Sequence, residues 1–235
     1  MNRESNGYTI IYAAVMVVIV ALGLSFTHQS LLDKQIANEN IDKMQQILRS
    51  LNVTAGTDEA EARYVELVTN AYLVTEDGDK VEGSEGNTPE DPAFSTELGD
   101  PSAQGLPVYE VSIEGKTVYI LPMSGSGLWG AIWGYLAIED DGSTIYGADF
   151  GHAGETPGLG AEIAERSFGM QFEGKEVIEE GKFVSVAVVK PGQSDARRDY
   201  VDGISGGTIT SQGVDKMLLN SVGMYENFLM KLNRN

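Results

Sequence analysis

A long uncharged segment near the N-terminus sets the strongest limit on how this chain can fold. Residues 5–32 contain no Lys, Arg, Asp or Glu, and the 18 residues from 9 to 26 are almost wholly apolar. An α-helix of that length rises about 27 Å, which is close to the thickness of the hydrocarbon core of a bilayer. The sequence therefore predicts a transmembrane anchor over residues 1–32, in contact with lipid, followed by a folded domain over residues 33–235.

A cleaved signal peptide is the alternative interpretation of this segment. Its n-region would be weak because Arg3 and Glu4 cancel, and residues 21–23 form only a passable cleavage site. Tyr8 and Tyr12 suit a membrane interface and favour a retained anchor. Basic residues are sparse on both flanks, so the positive-inside rule decides little. A single N-terminal anchor before a large acidic domain favours a position of that domain outside the cytoplasm.

The charge and the residue types exclude several function classes. The chain has 35 acidic and 16 basic residues, a formal net charge of −19, and such a surface repels nucleic acid. It has no cysteine, which excludes disulfides, thiolate-bound iron–sulfur clusters and a cysteine nucleophile. Its two histidines are too few for a histidine-rich metal site. Redox chemistry would therefore require an organic cofactor or a metal bound by carboxylates.

The residues after the anchor predict helices and then an acidic loop. A helical stripe with spacings of four and three comprises Ala37, Ile41, Met44, Leu48 and Leu51. Thr57 is placed to cap a second helix whose first turn is acidic. Residues 75–107 are acidic and rich in Gly, Pro, Ser and Asp. We interpret them as a long surface loop with at most short strands.

Alternating apolar residues then predict a largely antiparallel sheet. Two β-hairpins are expected, with strands over residues 108–113, 117–123, 132–139 and 144–150. Residues 158–172 are expected to form one short helix and residues 183–189 a further strand. Trp129 and Trp133 are expected in the core.

The last predicted helix has Ser211 as its N-cap. Its apolar stripe consists of Val214, Leu218, Val222, Tyr225, Leu229 and Leu232. Together these elements predict an α+β fold: an N-terminal transmembrane helix followed by one domain with a largely antiparallel sheet and flanking helices.

A glycine-rich loop before this helix is the first candidate site. Residues 203–207 match G-x-S-x-G, but a hydrolase of that type needs a later histidine, and none follows His152. Residues 205–211 instead combine small residues with free N–H groups near a helix N-terminus, which favours a phosphate. A capped glycine turn without a ligand is the alternative for this segment taken alone.

A second glycine loop covers residues 151–163. Its glycines fit the dinucleotide-binding pattern poorly. The turn formed by residues 156–160 would expose backbone donors and the apolar side chain of Leu159, both of which suit a flat heteroaromatic ring. A helix entry with glycines for close packing is the alternative.

At these two loops the sequence resembles the FMN-binding domain family. Residues 202–208 (Asp-Gly-Ile-Ser-Gly-Gly-Thr), continued by 209–211, are similar to the covalent flavinylation motif of that family. The likeness extends to residues 8–22, 127–150 and 154–163, and so covers nearly the whole chain. Within the family, the sequence resembles the branch formed by the C subunits of sodium-translocating NADH:quinone oxidoreductases.

The resemblance implies a covalent cofactor and its site. A separate flavin transferase would move FMN from FAD onto the hydroxyl of Thr208, and not of Thr210, as a phosphoester. The loop of residues 155–160 would lie against the isoalloxazine ring. The implied cofactor-binding residues are Glu155, Thr156, Gly158, Leu159, Gly160, Ser205, Gly206, Gly207, Thr208, Ile209 and Thr210. The resemblance assigns no catalytic residue and no metal ligand.

The resemblance also implies a role and a location. The chain would be a redox carrier in an enzyme complex, facing the outer side of a bacterial cytoplasmic membrane. Its flavin would pass electrons to the covalent flavin of a neighbouring membrane subunit and on towards quinone. The alternatives are the G subunit of the ferredoxin-oxidising Rnf complex and, from another class, an anchored binding module without redox function.

Two features of the sequence qualify what the resemblance implies. The family usually has Ala before the acceptor, where this chain has Gly207. Glycine at this position should not block the transferase. Its greater backbone freedom would loosen the loop before Thr208 and slow the modification. The uncharged segment of the predicted anchor, residues 5–32, carries no acid, so the sodium pathway is expected in other subunits.

Overall fold

The structure is a computed structural model that describes residues 6–98 and 103–234. The first five residues of the predicted anchor and part of the predicted acidic loop therefore lie outside the described residues. The chain divides into two compact units, Met1–Asp42 and Lys43–Asn235. The domain boundary expected after residue 32 remains a prediction.

The first unit consists of one long helix, α1 (Asn6–Ser50), whose last turns belong to the second unit. Its 45 residues give a length of about 67 Å, more than twice the hydrocarbon thickness of a bilayer. In the described part of the chain, α1 is the one helix long and apolar enough to cross a membrane. The apolar side chains of residues 9–26 are exposed to the surroundings, Phe26 and Ile10 among them. Such a surface is stable in lipid and unfavourable in water.

The second unit is an α+β domain, as predicted. Its helices are α2 (Ala60–Leu67), α3 (Pro92–Ser95), α4 (Arg166–Gly169), α5 (Thr208–Met217) and α6 (Glu226–Asn233). Its strands are β1 (Val68–Val74), β2 (Leu106–Ile113), β3 (Lys116–Ser126), β4 (Ala131–Glu139), β5 (Ile145–His152), β6 (Ile178–Glu179), β7 (Lys182–Phe183), β8 (Ala187–Val189) and β9 (Tyr200–Asp202). A π-helical segment, Leu218–Val222, lies between α5 and α6.

Strands β1 to β5 form an antiparallel meander in chain order, and the two predicted hairpins are part of it. In the β2–β3 turn, Glu114 and Gly115 both have positive φ, the conformation that matches the right-handed twist of a hairpin. In the β4–β5 turn, the carboxylate of Asp141 accepts hydrogen bonds from the backbone N–H groups of Ser143 and Thr144. Short-range turn chemistry therefore fixes both hairpins.

The C-terminal helices pack on this sheet and close the core. The predicted stripe is buried from Val214 to Leu229, and Leu232 is partly buried. Helix α5 approaches strand β3 closely: a Cβ atom on Gly213 would lie 2.4 Å from the carbonyl oxygen of Ser126. Because no side chain fits there, glycine at this position allows α5 to pack against the end of strand β3. This contact fixes the position of the N-terminus of α5.

Three phenylalanines anchor the segment that follows strand β5. Phe150, Phe168 and Phe172 are buried, and their ring centroids lie 5.1 to 5.5 Å apart. A Cβ atom on Gly169 would lie 2.3 Å from the carbonyl oxygen of Ala148, so this segment also lies tightly on β5. The aromatic cluster thus holds the segments on both sides of the second glycine loop, residues 151–163, against the sheet.

Three local predictions are wrong. Residues 158–172 form three short helical segments, two of them 3-10 helices and the third α4, and not one helix. The strand predicted over residues 183–189 is interrupted at Ser185, whose φ of 62° takes the backbone out of the extended conformation. Helix α2 begins after Glu59, so Thr57 does not cap it.

Candidate functional site

The site is built around the start of helix α5. The helix begins at Thr208, and the preceding residue, Gly207, offers no side-chain cap. Ser211, predicted as the N-cap, lies one turn inside the helix, so that prediction is wrong. Its hydroxyl instead accepts a hydrogen bond from the backbone N–H of Ile204 at 2.9 Å. Ser211 therefore ties the glycine loop to the helix and leaves the first N–H groups of α5 free of side-chain caps.

The two threonines in the first turn of α5 differ sharply in accessibility. Thr208 is exposed, whereas Thr210 is 1% exposed. The Thr210 hydroxyl donates a hydrogen bond of 2.7 Å to Oε2 of Glu155. A group approaching from solvent can reach the hydroxyl of Thr208 and not that of Thr210.

The second glycine loop lies directly against the first. A Cβ atom on Gly206 would lie 2.7 Å from Cδ2 of Leu159, and one on Gly160 would lie 2.5 Å from Oγ1 of Thr210. Gly206 also has a φ of +77°, which non-glycine residues rarely adopt. These glycines permit the contact between two loops that lie about 50 residues apart in the sequence.

Together the two loops line a pocket of about 210 Å³. Its lining consists of Leu128, Glu155, Thr156, Leu159, Gly160, Gly206, Gly207, Thr208, Ile209 and Thr210. The structure thus brings the predicted site residues together, except Gly158 and Ser205. Gly158 lies in the turn before Leu159 with a φ of +74°. Ser205 lines a neighbouring pocket.

The neighbouring pocket, of about 450 Å³, lies along the same glycine loop. Gly206 and Thr208 line both pockets, so the Thr208 side chain stands between them. Lys190 also lines this second pocket and brings a positive charge into a strongly acidic protein. Lys190 was not predicted as a site residue, because no sequence motif connects it to the glycine loop of residues 203–207.

The residues of the β3–β4 connection also belong to the site, which the sequence analysis did not predict. Leu128 lines the first pocket, and its side chain is 49% exposed. Trp129 is 68% exposed, so its predicted place in the core is wrong. Trp133 is half-buried and donates a hydrogen bond from Nε1 to Oε1 of Gln46. The Gly-Leu-Trp-Gly sequence of residues 127–130 could have indicated that this connection belongs to the site, because its two apolar residues lie between turn-forming glycines.

Glu155 connects three parts of the pocket. Its Oε1 accepts a hydrogen bond from the backbone N–H of Trp129 at 2.8 Å, and its Oε2 accepts the one from Thr210. Burial alone would raise the pKa of this carboxyl, but hydrogen bonds from the Thr210 hydroxyl and from the backbone of Trp129 and Leu128 outweigh burial and lower it below its ordinary value. Glu155 is therefore an ionised hydrogen-bond acceptor inside the protein.

The chemistry of the pocket suits an FMN group. An accessible hydroxyl stands at the start of a ten-residue helix, where N–H groups and the helix dipole favour a phosphate. Leu128, Leu159 and Ile209 present apolar side chains that are 41–54% exposed, a suitable surface for a flat ring. Within residues 6–98 and 103–234, no group of three or more His, Asp or Glu side chains is arranged to hold a metal ion.

This fold and this site define the class of the protein as a flavin-binding domain on a membrane helix. The profile of the FMN-binding domain family matches residues 127–222. That match includes both glycine loops and the β3–β4 connection.

Relatives and solved structures specify the family further. The C subunit of the Na(+)-translocating NADH-quinone reductase from Vibrio anguillarum is 30% identical over 229 residues, covering 91% of this chain and 89% of the relative. The same subunit from Vibrio vulnificus strain YJ016 is 31% identical over 216 residues, covering 86% and 82%. The crystal structure of this subunit from Parabacteroides distasonis is 51% identical, with a TM-score of 0.78, covering 85% of this chain and 96% of that one. NqrC from Shewanella oneidensis is 26% identical, with a TM-score of 0.65, covering 84% and 100%.

The chain belongs to the family formed by the C subunits of Na(+)-translocating NADH-quinone reductases. This assignment does not favour the Rnf subunit that the sequence left open. The match to an FMN-binding domain also argues against a binding module without a cofactor.

Proposed function

We propose that this chain carries one FMN as a phosphoester on the hydroxyl of Thr208. The chain is an electron-transfer subunit of a sodium-translocating NADH-quinone reductase. When bound, FMN supplies the redox chemistry, and the protein supplies its position and electrostatic environment. The observation that supports attachment at Thr208 is the contrast between its exposed side chain and the buried, hydrogen-bonded hydroxyl of Thr210.

The chain relies on another enzyme to form this bond. A threonine hydroxyl is a weak nucleophile unless a base activates it. Among the residues that line the pocket, Glu155 is the one possible base, and its carboxylate is already engaged by Trp129 and Thr210. A flavin transferase would supply the missing base. In that reaction an ester bond would form between Oγ1 of Thr208 and the FMN phosphorus, the pyrophosphate bond of FAD would break with AMP as the leaving group, and the hydroxyl proton would pass to the transferase's base.

The pocket suits a cofactor that exchanges electrons with other proteins. Leu128, Leu159 and Ile209 remain partly exposed around it, so a ring held there would stay near the surface. Electron transfer between protein partners requires such proximity. The covalent bond would prevent loss of the cofactor on a side of the membrane that does not supply FMN.

The long apolar helix and the family together make this a membrane-anchored protein and a subunit of a larger complex. We place the domain that carries Thr208 on the outer side of the bacterial cytoplasmic membrane. The described residues of α1 before Asp33 carry no charged side chain. The sodium pathway is therefore assigned to neighbouring subunits.

Mass spectrometry of the flavin peptide tests the proposal. The full chain is produced in membranes together with a flavin transferase, extracted in detergent and digested. We expect the peptide that contains Thr208 to gain the mass of FMN less water, with fragment ions that locate the gain on Thr208. A bare peptide from a preparation in which the transferase modifies another substrate would overturn the proposal.

The pocket wall formed by Leu159 provides a second test. Leu159 is 41% exposed, so Leu159→Asp should leave the fold intact. The added carboxylate would face the ring, and we expect a changed reduction potential or a lower flavin occupancy. Flavin absorbance and redox titration measure both, and circular dichroism monitors folding. A variant that fails to fold would show that Leu159 has a structural role instead.

Gly207 provides a third test, because a Cβ atom can be accommodated there. Its φ is −105°, which alanine adopts readily, and the added Cβ would lie 3.1 Å from Cβ of Ile204. The side chain of Ile204 needs to shift by only a few tenths of an ångström to make room for it. We expect Gly207→Ala to reach the same final extent of flavinylation, at a rate equal to or above that of the wild type. In-gel flavin fluorescence at matched transferase levels measures the rate, and a lower final extent would contradict this expectation.

A further inference from the structure

Glu155 is the one ionisable side chain among the residues that line the first pocket, the one of about 210 Å³. It is 4% exposed, although the glycine loop that carries it lies at the surface. A buried acid in such a place costs free energy unless it is hydrogen-bonded, and here each carboxylate oxygen has a donor. The two donors therefore hold a negative charge inside the wall of the pocket.

The surrounding residues hold this charge in one place. A Cβ atom on Gly127 would lie 2.4 Å from Oε1 of Glu155, and one on Gly160 would lie 2.5 Å from Oε2. Glycine at both positions makes room for the carboxylate. The backbone N–H of Glu155 in turn donates to Nδ1 of His152 at 3.2 Å. The carboxylate is thus fixed between the β3–β4 connection, the second glycine loop and the first turn of α5.

We propose that Glu155 both positions the three segments of the pocket and lowers the reduction potential of the flavin with its fixed negative charge. The proposal rests on the function proposed above, since it requires a flavin on Thr208. Thr210, the hydrogen-bond partner of Glu155, lies two residues from that attachment point. The negative charge of Glu155 therefore lies close to a flavin attached at Thr208.

The charge of Glu155 would change the free-energy cost of adding an electron to the flavin ring. Uptake of an electron makes the ring more negative, and a fixed carboxylate beside it opposes that change. The effect is strong in a partly desolvated pocket, where the effective dielectric constant is far below that of water. At a dielectric constant of about 20, removal of a unit charge about 10 Å away changes an equilibrium ratio by about tenfold. Glu155 thus favours release of electrons to the next carrier over their retention.

The Glu155→Gln variant removes the negative charge of this side chain and keeps its size and hydrogen bonds. A glutamine fills the same space, accepts the hydrogen bond from Trp129 with its oxygen, and donates its amide to the rotated hydroxyl of Thr210. The matched control is Glu165→Gln, which removes an exposed carboxylate ten residues further along that does not line the pocket. The full chain, flavinylated in cells and held in detergent, is titrated by spectroelectrochemistry. Mass spectrometry first verifies covalent flavin in each variant.

We expect E155Q to raise the midpoint potential, increasing the ratio of reduced to oxidised flavin about tenfold at a fixed ambient potential. E165Q should titrate like the wild type. An E155Q variant with full flavin occupancy and an unchanged potential would overturn the proposal, and so would a variant that loses the flavin, because the side chain would then matter only for structure. A wild type without flavin would instead refute the proposed function, so the two failures are distinguishable.

Thr210→Val tests the positioning role without removing the charge. It deletes the hydroxyl that donates to Oε2 of Glu155 and keeps a β-branched side chain of similar size. We expect a lower thermal stability of the domain and no rise in the midpoint potential. A rise equal to that of E155Q would show that the hydrogen bond, and not the charge, sets the potential.

Discussion

Thr208→Ala should abolish covalent flavinylation while leaving the domain folded. The Thr208 side chain is exposed at the start of α5, so its loss leaves no cavity and removes no buried contact. The hydroxyl of Thr210 cannot replace it, because it is buried and bound to Glu155. We expect flavin fluorescence in a denaturing gel to fall to background. Electron transfer through the assembled complex should fall with it, because the chain would no longer hold its carrier.

Two further variants control this result. Thr208→Ser retains a hydroxyl and should restore part of the fluorescence, since only a methyl group is lost. Thr210→Val should retain fluorescence, although its pocket is less rigid. A fluorescent T208A chain, or a T210V chain that alone loses the flavin, would show that the bond is made elsewhere.

The sequence predicts the framework of the domain well where short-range chemistry decides. The β2–β3 hairpin depends on Glu114 and Gly115, and both adopt the positive φ that the turn requires. The stripe from Val214 to Leu229 is buried because its spacing places these side chains on one helical face. Strand β1 was not predicted: it pairs along its length with β2, whose residues lie more than 30 positions away.

The predicted site residues came mainly from the resemblance, and the structure adds the contacts that connect them. The hydrogen bond between Glu155 and Thr210 spans 55 residues of sequence, so no local pattern could predict it. The start of α5 was misplaced for a related reason. Two β-branched threonines and an isoleucine are weak helix formers, and Ser211 is a better cap by propensity. Packing of Gly160 against Thr210 nevertheless holds that turn in the helix.

The exposed position of Trp129 likewise depends on a long-range contact that no local pattern predicts. An isolated tryptophan is usually buried, and its sequence neighbours give no periodic signal. Here the backbone N–H of Trp129 is bound by Glu155, which fixes the connection with the indole outside the core. The deviation from the expected burial occurs beside the pocket, where function constrains the residues more than packing does.

Phe172→Ala should produce the largest loss of stability among these variants. Phe172 is fully buried, and its ring contacts those of Phe150 and Phe168 with centroids 5.1 and 5.5 Å apart. Truncation of a buried phenylalanine loses the free energy gained when its ring leaves water, and it also leaves a cavity. The two effects together cost about 3–5 kcal/mol. Chemical denaturation of the full chain in detergent, followed by tryptophan fluorescence, measures the free energy of unfolding. The matched control is Met170→Ala in the same turn, where the side chain is 51% exposed and a change within about 0.5 kcal/mol is expected. Equal losses in the two variants would mean that the three phenylalanines do not hold the turns after β5 against the sheet, and the glycine loop of the flavin pocket would need another support.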